Sequence, residues 1–221
     1  MPKWLLLSLG SILFLGCSNK VGDIVSQGDT FKNDAIFLYK RTKEDEAVKS
    51  LKKALNIYKS IDSIDKEIET LLLLFKITKK NKYLHEAELF LGHTSKKVED
   101  SILFAKALYS MDKSIFLKLI SSDEPKIKTL SLIYLYKITN NKLFLEKISY
   151  DKNDLIYSFY LVTLYSENNN IELLNEALII DKKFESKRFI YRDLKLLSEY
   201  YKAKDDILFK LYKVRADAIY Q

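Results

Sequence analysis

The sequence predicts an all-α protein built from antiparallel helix pairs, and three observations carry that prediction. The residues least tolerated inside helices are scarce, with five glycines and two prolines in 221 residues. Long stretches follow helical rather than strand periodicity. Short polar breaks separate those stretches at a nearly regular interval. Composition alone leaves the class open, because the abundant Tyr, Ile and Phe lean towards strands. Periodicity therefore decides it.

The clearest helical stretch holds Ile127, Leu130, Ser131, Tyr134, Leu135 and Ile138, which fall on one face of a helix. Ile156, Phe159, Tyr160, Thr163 and Leu164 repeat the pattern, as do Ile207, Leu208, Leu211, Tyr212, Ala218 and Ile219. Leu71 to Phe75 is apolar all round, which predicts an internal helix covered on both sides. In the breaks, Lys80-Asn81, Asn140-Asn141 and Asn168-Asn169-Asn170 stand where glycine is usual. Asn is the residue besides Gly that best tolerates the left-handed backbone ending a helix. Asp123 precedes Glu124-Pro125, placing it to cap a helix whose first turn holds the proline.

The breaks also resemble one another. Phe75-Lys76-Ile77-Thr78 is similar to Tyr136-Lys137-Ile138-Thr139, and Leu108-Tyr109-Ser110 to Leu164-Tyr165-Ser166. Tyr39-Lys40-Arg41-Thr42 and Tyr200-Tyr201-Lys202 hold the same place in the first and last units. Successive closures lie roughly 27 to 36 residues apart, the interval of solenoid repeats made of helix pairs. About six pairs fit. One pair cannot bury its apolar face alone, whereas stacked pairs share a continuous core. An irregular helical bundle is the rival architecture within the same class.

The first unit resembles a tetratricopeptide repeat. Ala47, Leu51 and Ala54 match the small, large, small pattern of that family's second helix, with Phe31, Ala35 and Leu38 at the corresponding first-helix positions. The resemblance implies a right-handed α-solenoid over residues 31–221. It also implies a concave groove lined by first helices, with Lys32, Ile36, Tyr39 and Lys40 as groove contacts. Aromatic and basic side chains in such a groove would grip a peptide.

Ahead of the repeats, Lys3 and an apolar run from Trp4 to Leu15 end at Gly16-Cys17. The run is short of the roughly 20 apolar residues that cross a bilayer, which favours a cleaved signal over residues 1–16. Phe14-Leu15-Gly16-Cys17 resembles the lipobox of bacterial lipoproteins, with Phe14 in place of the usual Leu. That resemblance implies a diacylated Cys17, held at a membrane by its acyl chains. Cys17 is the one cysteine in the chain, so no internal disulfide competes for it. Ser18 in place of Asp points to the outer membrane, facing the periplasm, by the sorting rule of some two-membrane bacteria. The polar stretch after the cysteine makes 17–30 a tether. Beyond the signal, every apolar stretch is interrupted by charge before membrane-spanning length.

Little in the sequence supports catalysis. His85 and His93 are the only histidines, and their spacing leaves His85-Glu86-Ala87-Glu88 without the second ligand of a zinc helix. Gly-x-Ser-x-Gly is absent, and glycines are too few for a phosphate-cradling loop. Glu44-Asp45-Glu46 and Asp205-Asp206 suit helix starts, where carboxylates meet the positive end of the helix dipole. No catalytic residue, metal or cofactor is expected. The formal charge of +7 falls by one when a signal containing Lys3 is removed, and its lysines are interspersed with acids, as on a solvated surface. Export argues against nucleic acid as a partner. The expected function is a lipid-anchored scaffold holding another envelope protein, in outer-membrane assembly, pilus or secretion machinery. The rivals are an envelope glycan-acting enzyme and a binder of anionic lipid or glycan.

Overall fold

In the computed structural model, which describes residues 20–149 and 154–220, the polar breaks separate twelve helices that pair in chain order. The pairs are α1 (Lys20–Lys40) with α2 (Glu44–Ser60), α3 (Ile64–Thr78) with α4 (Asn81–Glu88), and α5 (Lys96–Ser110) with α6 (Lys113–Leu119). They continue with α7 (Pro125–Thr139) and α8 (Leu143–Glu146), α9 (Leu155–Asn168) and α10 (Ile171–Lys183), and α11 (Lys187–Tyr201) and α12 (Asp206–Asp217). No strand occurs among the described residues. Most contacts join helices adjacent in sequence, and the first helices α3, α5, α7 and α9 also touch one after another. This arrangement is consistent with a helical repeat.

The repeat is most visible where first helices end. Lys79, Met111, Asn140 and Asn169 follow α3, α5, α7 and α9 with φ of 57°, 53°, 55° and 54°. Each returns its N–H to the carbonyl four residues back, on Phe75, Ala107, Tyr136 and Tyr165. Asn140 and Asn169 fit the expectation that Asn fills these turns. In the first of the four the left-handed residue is Lys79, not Asn81, and the second uses Met111. Packing of the next helix imposes the turn there, against a cost of about 1 kcal/mol for a residue with a Cβ. Asp112 and Asn170 then accept the N–H groups of Ser114 and Glu172, capping α6 and α10, and Asn141, one residue ahead of the α8 cap, accepts the N–H of Leu143. Asp123 does not cap α7. Glu124 is the capping residue without a side-chain bond, and Ser122 Oγ accepts the Glu124 N–H at 3.2 Å.

Small residues allow close approach in the first pair: Ala35, Ala47 and Ala54 are fully buried. Leu71 and Leu74 are equally buried, as the all-round apolar run predicts. The second helices shrink from 17 residues in α2 to 8, 7 and 4, and then recover to 13 and 12. The core divides accordingly. One cluster spans the first two pairs and reaches Ile102, a small one joins Ala107, Phe116 and Leu135, and two more hold the last two pairs.

Residues 20–30, expected within a tether, form the start of α1. Their anchorage is long-range. A Cβ on Gly28 would lie 2.6 Å from Tyr58 Cε1, so only glycine lets the fully buried Tyr58 lie against α1. Tyr58 donates to Asp29 Oδ1 at 2.7 Å, and Lys66 reaches the same carboxylate at 2.6 Å. The signal over 1–16 and Cys17 lie outside the described residues. No helix among the described residues is long and apolar enough to cross a membrane.

Candidate ligand face on the first helices

The shared turn fixes a register. Tyr39, Lys76, Leu108 and Lys137 each stand three residues ahead of a left-handed turn residue, namely Thr42, Lys79, Met111 and Asn140. They therefore occupy equivalent places on successive first helices. Around two of them, cations and rings gather. Lys76 Nζ lies 5.8 Å from the centre of the Tyr39 ring, and the Arg188 guanidinium covers the same ring at 4.8 Å. Lys137 Nζ lies 4.2 Å from the Phe159 ring and 5.7 Å from Tyr134, within cation–π range. Tyr134 in turn stacks on Phe116 at 5.4 Å.

Arg188 also joins the ends of the array. It donates to the Tyr39 hydroxyl and to Glu44 Oε1, so α11 meets α1 and the start of α2. The first helices thus curve until the sixth pair touches the first. This closure bears on the two lysines, which are exposed but stand beside packed rings and other cations. Desolvation pulls the Lys76 ammonium below the ordinary lysine value, aided by repulsion from Lys79 and Arg188. Desolvation does the same to Lys137, aided by Arg192. Neither lysine has an ion-pair partner among the described residues.

Behind Arg192 lies a buried network. Arg192 donates through Nε to Asp193 Oδ1 at 2.8 Å, and through Nη2 to Asp181 Oδ2 at 2.9 Å and Ser158 Oγ at 3.0 Å. Asp181 and Asp193 are fully buried. Burial pushes the Asp181 carboxyl up to about 8, with the neighbouring Asp193 adding to the rise and Arg192 opposing it. Burial also raises Asp193, against Arg192. Asp181 Oδ1 and Asp193 Oδ2 have no other hydrogen-bond partner. One proton held by Asp181 and donated to Asp193 satisfies both atoms. This acid pair has no surface to offer a substrate, and it props Arg192 instead.

The residues singled out from the sequence are placed as follows. Tyr39 is on this face. Lys32 is tied to Glu69 at 2.8 Å, Ile36 is exposed, and Lys40 closes α1 half-buried. His85 sits 3.1 Å from Glu88 on the surface, and no group of acids, histidines or cysteines suited to a metal occurs among the described residues. Glu44, Asp45 and Glu46 fill the first turn of α2, and Asp205 caps α12. A separate cleft of about 420 Å³ beside α7 is lined by Ser122, Asp123, Lys128 and Lys147 among others, away from the clustered rings. Lys76, Lys137, Arg188 and Arg192 were not singled out. The similarity of Phe75-Lys76-Ile77-Thr78 to Tyr136-Lys137-Ile138-Thr139 was the signal that could have found the two lysines. Comparison with protein-family models, curated proteins and solved structures returns no match.

Proposed function

We propose that the chain is a lipid-anchored, extracytoplasmic scaffold, a right-handed tetratricopeptide-like solenoid whose inner face holds a segment of another envelope protein. The observation that carries this reading is the gathering of cations and rings, Tyr39, Lys76, Tyr134, Lys137, Phe159 and Arg188, from five helices near the ends of the first helices. Aromatic and arginine side chains in such settings supply most of the energy at protein interfaces. The Phe14-Leu15-Gly16-Cys17 run supports the anchor. Acyl chains on Cys17 would hold the array at the periplasmic side of the outer membrane and raise its effective concentration for membrane-bound partners.

A photo-crosslinking amino acid placed in living cells at Ile36 or Leu108, on the first helices, should yield a discrete adduct. The same probe at Ile179, exposed on α10, should not. Equal adducts from both faces, or none from Ile36 and Leu108, would remove the scaffold reading. Incorporation of a clickable fatty acid tests the anchor separately: label lost in Cys17→Ser supports it, and unchanged label rules it out.

A further inference from the structure

The chemistry of the segment can be read from the same face, on the premise that this face binds the partner. An ammonium set against packed helices and other cations with no counter-charge is unfavourable, and the fold keeps two such groups, Lys76 and Lys137, exposed at equivalent places in the second and fourth pairs. Their charged neighbours make matters worse. Lys79 and Arg188 repel Lys76, and Arg192 repels Lys137. The acids near these groups are already engaged, since Glu44 holds Arg188 and the Asp181–Asp193 pair holds Arg192. Five cations thus face two negative charges at neutral pH, once Asp181 keeps its proton. Arg192 Nη1 is buried and has no partner. Sites that lower stability without local compensation are where ligands supply the missing charge.

The layout separates an extended chain from a single small anion. The cations are not focused on one point but spread over α3, α11 and α7. Between Lys76 and Lys137 the equivalent place belongs to Leu108, and the rings of Tyr39, Tyr134 and Phe159 flank the ammonium groups. Helices packed 8–10 Å apart place α3 and α7 about 16–20 Å from each other. An extended peptide covers that span with about five residues. We propose that the inner face binds an extended acidic protein segment, one carboxylate on Lys76, a second about five residues away on Lys137, and an apolar side chain between them over Leu108.

The test uses detergent-solubilised full-length protein and a fluorescein-labelled twelve-residue peptide carrying two Glu residues five apart with Leu between them. Fluorescence anisotropy should show binding that about 0.5 M salt abolishes, as expected of screened charge pairs. A peptide with Gln in place of Glu should bind at least about tenfold more weakly. Lys76→Gln and Lys137→Gln should each weaken the Glu peptide about five- to tenfold, and together reduce it to the level of the Gln peptide. Both variants should unfold close to the parent's temperature, because each removes a cation without an ion-pair partner while giving up its contact with a ring. Equal binding of Glu and Gln peptides, or full binding by the double variant, would overturn the proposal. So would lysine-dependent binding of inorganic phosphate or phosphatidylglycerol vesicles without binding of the Glu peptide. If adducts still form at Ile36 and Leu108 when the Glu peptide fails, the acidic chemistry falls while the scaffold reading stands. Loss of both removes the two together.

Discussion

The first two helix pairs and the last two place different chemistry in the same part of the repeat. In the first two, Ala35, Ala47, Leu51, Ile68, Leu71 and Leu74 are essentially without exposure and form one apolar cluster. In the last two, Leu174 and Leu197 are just as buried, but Ser158, Asp181 and Asp193 share the interior with the Arg192 side chain. The difference teaches that the apolar cluster is fixed by shape and the Arg192 network by charge. A core of shape responds to lost volume and ignores pH. A core of charge answers to pH, and it also holds Arg192 close enough to lower the affinity of Lys137 for its proton.

The largest expected effect comes from breaking the charged core. Arg192→Met leaves two buried carboxyls without their cation and should cost about 3–5 kcal/mol in urea unfolding. Leu71→Ala breaks the apolar core and should cost about 3 kcal/mol, by lost burial and the cavity left behind, to the same extent at pH 5 and pH 8. The pH dependence sharpens the contrast. The folded chain keeps a proton on Asp181 between the ordinary value of 3.8 and about 8, while the unfolded chain releases it. Stability from this group is therefore greatest at the acidic end of that window and declines as pH rises to about 8. Asp181→Asn holds the hydrogen bond permanently, so its unfolding midpoint should lose that decline. Smaller still, Met111→Gly relieves a left-handed turn and should stabilise by up to about 1 kcal/mol. Arg188→Ala removes a partly exposed ion pair and should cost less than about 1 kcal/mol.

Helices were legible because their signals are local. The face of Ile127 to Ile138 and the Asn140 and Asn169 turns depend on neighbours a few residues away. Lys79 and Met111 were illegible as turn residues because their conformation is imposed by the packing of α4 and α6. The start of α1 reads locally as a tether, because Gly28 and Asp29 gain their meaning from Tyr58 and Lys66, distant in sequence. The candidate face lies between these cases. The twin Lys-Ile-Thr closures showed that Lys76 and Lys137 share a place, but their desolvation depends on curvature that brings α11 across. Asp181 and Asp193 carry no local sequence signal, since only the fold brings Arg192 and Ser158 around them.

The contact of Arg188 with Tyr39 and Glu44 spans 149 and 144 positions of sequence, and it changes the topology of the array. In an open row of repeats the two terminal units fray independently, each protected by a single neighbour. Joined end to end, the row becomes a hoop in which either terminus guards the other. The clasp can form only when all six pairs are in place, so it reports completion. The extended segment proposed as its partner would have to thread the hoop or unfasten it, and a weak, solvent-reached clasp leaves the second route open.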